Sequence, residues 1–114
     1  MDSILTSVKK MLGIVAECTD FDAEIIMHIN SVFMVLTQLG VGPSEGFIIM
    51  DDSAIWEDFI VEPLELQAVK SHVFMKVKLL FDPPTNGAVV ESYNRLINEF
   101  EWRLNVAAES NTSK

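Results

Sequence analysis

The sequence predicts an all-α protein: a small helical bundle of about four main helices, with a long, partly irregular loop and room for a short β segment near residues 47–50. Three observations carry this. Apolar residues recur at spacings of three and four over most of the chain. Capping and stopping residues fall at the ends of those runs. The pair Pro83-Pro84 divides the longest apolar pattern into two arms, because proline has no backbone donor and disfavours helical torsions in the residue before it. With 114 residues, 49% apolar and 22% charged, the chain has a globular composition and the length of one domain.

Ser3 is placed to cap a first short helix, in which Ile4, Leu5, Val8, Met11 and Leu12 share a face before Gly13 ends it. Lys9 and Lys10 fall in its last turn, where the helix dipole favours cations, and read as solvated charge. Asp20 then caps a helix over residues 21–39, with Asp22 and Glu24 in the first turn and Gly40 at the C-cap. Ile25, Ile29, Val32, Leu36 and Leu39 form one stripe, widened by Ile26, Met27, Phe33 and Met34. So broad an apolar surface puts this helix either at the centre of the bundle or against another subunit.

Between residues 40 and 63 the helical pattern lapses. Gly42-Pro43 and Glu45-Gly46 are turn chemistry, and residues 47–50 read as a strand or a buried loop segment. Ser53 is a candidate cap for a brief helix carrying Ile55, Trp56, Phe59 and Ile60. Connections this long inside a compact domain are usually functional. Residues 45–65 hold seven acids and no base.

Pro63 or Leu64 opens the next helix, which sets Leu66, Val69, Val73, Val77 and Leu80 on one line until Asp82-Pro83-Pro84 stops it. Thr85 or Asn86 caps the last helix, with Val90, Tyr93, Leu96, Ile97, Phe100 and Leu104 inward and an end near Asn105. The two arms are expected to form an antiparallel hairpin whose structural residues are Phe81, Asp82, Pro83, Pro84, Phe100 and Trp102. Glu91 with Arg95 and Glu99 with Arg103 are acid-before-base pairs four residues apart, each worth a few tenths of a kcal/mol. Residues 1–106 read as the single domain, and residues 107–114 as a small, polar, flexible tail. There is no internal repeat.

The net charge of −9 is unevenly distributed. Residues 1–62 hold eleven acids against Lys9 and Lys10, whereas residues 63–114 hold six acids and six bases. A protein that grips phosphate backbones needs the opposite sign, so direct nucleic-acid binding is not expected. Asp22, Glu24, His28 and Asn30 interrupt the longest apolar run, which leaves no membrane span. The start lacks the order of a signal peptide. The single Cys18 permits no intrachain disulfide, fits a reducing interior and reads as a structural thiol.

Candidates for catalysis are few. His28 and His72 stand alone on two helices, outside any metal-ligand spacing, and read as surface or interface histidines. No nucleophile elbow and no Gly-rich phosphate loop occurs, and no cofactor is expected. Asp51, Asp52, Glu57, Asp58 and Glu62 are the carboxylates available to a divalent cation, as in all-helical nucleotide pyrophosphatases. Those enzymes need facing Glu-x-x-Glu/Asp pairs, and Glu62-x-x-Glu65 is a lone match across Pro63.

The runs Val77-Lys78-Leu79-Leu80-Phe81-Asp82-Pro83-Pro84-Thr85 and Phe100-Glu101-Trp102-Arg103-Leu104-Asn105 resemble the small helical head-tail connectors, or DNA-packaging and head-completion proteins, of tailed bacteriophages. Ile26-Met27-His28-Ile29-Asn30-Ser31-Val32-Phe33, Gln38-Leu39-Gly40-Val41-Gly42 and Trp56-Glu57-Asp58-Phe59 extend the resemblance over roughly residues 4–109. None of these runs is catalytic, and the resemblance lies in their order and spacing.

That resemblance implies an adaptor without enzymatic turnover, made in the cytoplasm of a bacterial host and built into the virion at the head-tail interface. Its copies, about twelve, would form a homo-oligomeric ring beneath the portal protein. DNA would pass through the channel without specific binding, and a stopper or tail-completion protein would dock below. By position, Ala107, Ala108, Glu109, Ser110 and Asn111 map onto the portal-docking tail. Glu45, Asp51, Asp52, Glu57 and Asp58 map onto a loop facing the channel or the stopper. Acids toward a lumen would repel phosphates at ranges up to roughly 8–10 Å. The same acids also read as a solvated surface aiding solubility. Two other readings stand beside the adaptor: a metal-dependent hydrolase of nucleotides using the acidic loop, and a small regulatory bundle, such as an antitoxin, that binds another protein.

Overall fold

The computed structural model describes residues 3–112. Four helices, α1 (Ile4–Met11), α2 (Asp22–Gln38), α3 (Pro63–Phe81) and α4 (Gly87–Thr112), pack into a slab of 44 × 35 × 20 Å. The protein is all-α, as its periodicity predicts. Residues 47–50 form no strand; among the described residues the one β feature is an isolated antiparallel bridge between Ser3 and Ile55.

The helix ends follow local chemistry. The Ser3 hydroxyl accepts from the Thr6 amide at 2.9 Å, and Asn86 Oδ1 accepts from the Ala88 amide at 2.8 Å at the start of α4. Glu62 caps α3 through the Glu65 amide at 2.6 Å, with Pro63 in the first turn where its missing donor costs nothing. Asp20 does not cap α2. That position belongs to Phe21, which makes no side-chain cap, and Asp22 opens the helix. Ser53 caps nothing either: it donates to Asp51, and the brief helix is a single 3-10 turn, Trp56–Asp58, closed by Asp58 accepting from the Ile55 amide at 3.0 Å.

Lys9 is not solvated but buried. It stands four residues after Leu5 on the inward face, and its ammonium meets Asp22 Oδ1 at 2.8 Å and the Ala16 carbonyl at 3.0 Å. The lysine stem fills the α1–α2 junction while the head fastens the turn between the helices.

The core runs through Ile25, Ile29, Val32, Phe33 and Leu36 of α2 and Leu66, Val69, Val73 and Val77 of α3. It is closed by the long loop as much as by helices. Val41, Ile49, Trp56 and Phe59 are buried, and Phe33 is ringed by Phe59 at 4.6 Å, Phe47 at 5.2 Å and Trp56 at 6.4 Å between ring centres. Three polar ties place the loop. The Trp56 indole N–H donates to Ser7 Oγ at 2.8 Å, the Ile4 amide donates to the Ala54 carbonyl at 2.9 Å, and the Asn30 amide group binds both backbone groups of Ile49. Asn30 Nδ2 donates to the Ile49 carbonyl at 3.0 Å, and Oδ1 accepts from the Ile49 amide at 2.8 Å. The side chain thus does for residues 48–50 what a neighbouring strand would have done.

The α3–α4 hairpin forms after Asp82, but its seam differs in detail from the predicted one. Ile97 and Leu104 are buried, whereas Leu80 and Leu96 are half exposed, Phe100 is half buried and Trp102 stands in solvent. Phe81 meets the Phe21 ring edge-on at 5.6 Å. The inward line on α4 is Ile97, Glu101, Leu104 and Ala108, the 3.6-residue repeat with a carboxylate in it. Helix α4 also continues past Asn105 to Thr112, carrying residues 107–112; Ser113 and Lys114, the rest of the expected tail, lie outside the described residues.

Replacing Asn30 by Ala strands a donor and an acceptor on buried Ile49. The expected loss is about 2–4 kcal/mol in urea unfolding, at roughly 1–3 kcal/mol for each buried group left unsatisfied, with faster proteolysis within residues 43–53. Unchanged stability would mean that the loop is held by its aromatic residues alone.

Candidate functional site

The five carboxylates singled out in the loop do not converge. Glu45, Asp51, Asp52, Glu57 and Asp58 are all exposed, strung along its outer side. Asp51 is turned onto Ser53, whose hydroxyl and amide lower its pKa below the ordinary carboxylate value. Asp58 and Glu62 are engaged with backbone amides at helix starts. Among the described residues no three His, Cys, Asp or Glu side chains gather as a metal-holding set. The acids therefore form a band of charge rather than a chelate.

The expected docking tail is a continuation of α4. The methyl of Ala108 lies 3.2 Å from where a Cβ on Gly40 would stand, and Asn105 Nδ2 donates to the Leu39 carbonyl at 3.0 Å. Both contacts fasten the end of α4 to the end of α2, so residues 107–109 leave the body from a fixed point. Ser110 and Asn111 extend the helix.

Sequence reasoning missed an apolar concavity. Between the outer face of α2 and residues 46–48 lies an open groove of about 520 Å³, lined by Met27, Met34, Phe47 and Ile48 with Asn30 and Gln38. Met27, Met34 and Ile48 are 58%, 60% and 66% exposed. The signal was the excess width of the α2 stripe, since Met27 and Met34 stand two turns apart beyond what the core consumes. On the far helix, Trp102 is 67% exposed. These are the features a soluble domain has least reason to leave open.

His72 is also not where its sequence context put it. It is fully buried in the α3–α4 seam, with Nε2 at 2.8 Å from Glu101 Oε2; the same oxygen accepts from Lys76 Nζ at 3.0 Å. Nδ1 is buried without a partner, which fits a neutral ring that donates from Nε2 and leaves only a lone pair facing apolar surroundings. Burial pushes the His72 pKa down, outweighing the attraction of Glu101. Burial works to raise the Glu101 pKa, but the hydrogen bonds from His72 and Lys76 and their charges outweigh it and leave it lowered. The group is a fastener between helices α3 and α4.

No helix among the described residues is long and apolar enough to cross a membrane. A family described as phage connector protein matches residues 4–111. No curated protein and no solved structure matches the chain.

The seam fixes the sign of the acid response. A histidine whose folded pKa is lowered keeps its full stabilising effect above the unfolded value of about 6.5 and loses it as the pH falls toward the folded value. Glu101, also lowered, adds a loss of the same sign at more acid pH. The urea midpoint is therefore expected to fall as the pH drops from about 7 to 5, and His72→Gln to flatten that slope while keeping a donor toward Glu101. An unchanged slope in the variant would place the acid sensitivity elsewhere.

Proposed function

Because the chain belongs to the phage connector protein family, whose members are structural components of the particle that associate with other head and tail proteins, we propose that it is the head-tail adaptor: a ring beneath the portal that joins capsid to tail and forms part of the DNA channel. The observation that carries this reading is the family match over residues 4–111, together with large apolar side chains left open on both α2 and α4. A closed ring requires two different, complementary patches on each copy, and surfaces on separate helices supply them. The role asks for contacts and a passage, with no chemical turnover and no cofactor.

In this arrangement residues 107–112 reach toward the portal from the anchored end of α4. The loop bearing Glu45, Asp51, Asp52, Glu57 and Asp58 faces the lumen or the stopper below. Carboxylates lining a conduit repel phosphates over roughly a Debye length, about 8 Å at physiological salt, so DNA slides without being held. The excess of acids over bases in residues 1–62 supports that orientation.

The test is a phage in which this reading frame is interrupted, with its particles viewed by electron microscopy. Heads filled with DNA should accumulate beside free tails, and complementation with a tagged chain should restore joined particles carrying the tag at the neck. Tailed, infectious particles assembled without the polypeptide would overturn the assignment.

A further inference from the structure

Among the exposed apolar surfaces of the described residues, two have opposite shapes. The first is the groove between α2 and the loop, with Met27, Met34, Phe47 and Ile48 on its walls. The second is a ridge on the outer side of α4. Ile97 and Leu104 point into the seam, so Trp102 and Val106, one turn apart, point away from it, 67% and 40% exposed. The groove carries acids at its edges, and the ridge, of mixed charge, carries a cation that can meet them. No lysine or arginine occurs between Lys10 and Lys70, so both walls of the groove belong to segments carrying only acids, with Glu24 one turn before Met27 and Glu45 next to Gly46. The ridge has Arg95 two turns before Trp102 on the same line of α4, exposed and without an ion pair among the described residues.

We infer that the α4 ridge of one copy seats in the α2–loop groove of the next, with Trp102 as the anchor and Arg95 set against the acidic rim. This contact rests on the adaptor reading and names the surfaces by which its copies join. A second copy is the occupant because one chain carries both halves: an apolar concavity with acids around it, and an exposed indole flanked by an unpaired guanidinium. Buried tryptophan and arginine are the side chains on which binding energy concentrates. The two patches are different surfaces, so the contact is head-to-tail. Each copy offers its ridge to one neighbour and its groove to the other, and the series ends when rotation closes it. A single kind of contact then covers both of these surfaces.

The experiment is disulfide trapping of the full chain in a Cys18→Ser background, with Met34→Cys in the groove and Val106→Cys on the ridge. It is performed on particles carrying the variant and on the concentrated purified protein. The double variant should give a ladder of dimers, trimers and higher species on oxidation, while neither single variant does. Adding Trp102→Glu should reduce the ladder at least tenfold without changing the helical circular dichroism, since that side chain is outside the core. A ladder unaffected by Trp102→Glu, a dimer formed by Met34→Cys alone, or Met34→Cys trapped on a different virion protein would overturn the contact. So would the absence of a ladder in particles that contain the chain. If particles lack the chain, the adaptor reading fails, and the purified protein alone decides: a ladder sustains the contact and no ladder overturns it.

Discussion

Phe33 is the side chain around which the rest of the fold is constrained. It stands on α2, and its ring is met by Phe47, Trp56 and Phe59, all from the long loop. Trp56 in turn meets Phe74 of α3 at 5.7 Å, so the loop's aromatic residues bridge the two central helices. Edge-to-face ring pairs add about 0.5–1.5 kcal/mol each beyond the area they bury. The approach is close enough that a Cβ on Gly42 would collide with the Phe59 ring, and the backbone there has a φ of +82° that suits glycine. The segment between α2 and α3 is therefore part of the core in every sense except regular secondary structure.

That explains which parts of the molecule could be read from residue order. Capping at Ser3 and Asn86, the proline at the start of α3 and the break at Asp82-Pro83-Pro84 are local chemistry, and each came through because nothing distant competes with it. Lys9, His72 and Glu101 could not be read in this way. Each is a polar side chain on an apolar face, and each is tolerated only because a partner 13 or 29 residues away along the chain completes it. Assigning Leu96 and Phe100 rather than Glu101 to the seam followed the hydropathy of the residues, while the helix followed the pairing. The groove was illegible for another reason: one of its walls is loop, and its position depends on the Asn30 bridge to Ile49. The width of the α2 stripe signalled that something was left over without saying what shape it took.

Polar contacts in this protein act chiefly as fasteners at element ends. Lys9 with Asp22 holds α1 to α2, Asn105 with the Leu39 carbonyl holds the far end of α4 to α2, and His72 with Glu101 pins the hairpin in between. Each gives a partner to groups that would otherwise be costly to bury. Available for interaction with other molecules are a band of exposed acids and apolar surfaces on α2 and α4. This is the inventory of a part that is held and that holds, and it accords with membership in a family of particle components.

The Asn30 bridge also bears on how such a part can diversify. A segment secured by one carboxamide and a few inward rings, rather than by a ladder of strand pairs, has no register that lengthening would disturb. Residues 43–45 and 51–53 are turns lying outside those fixings, and chain inserted there leaves Ile49 and Phe59 seated as they are. The outer edge of the loop can thus be rewritten in length and charge while the helical body stays constant, and two proteins with the same frame can present unrelated faces there.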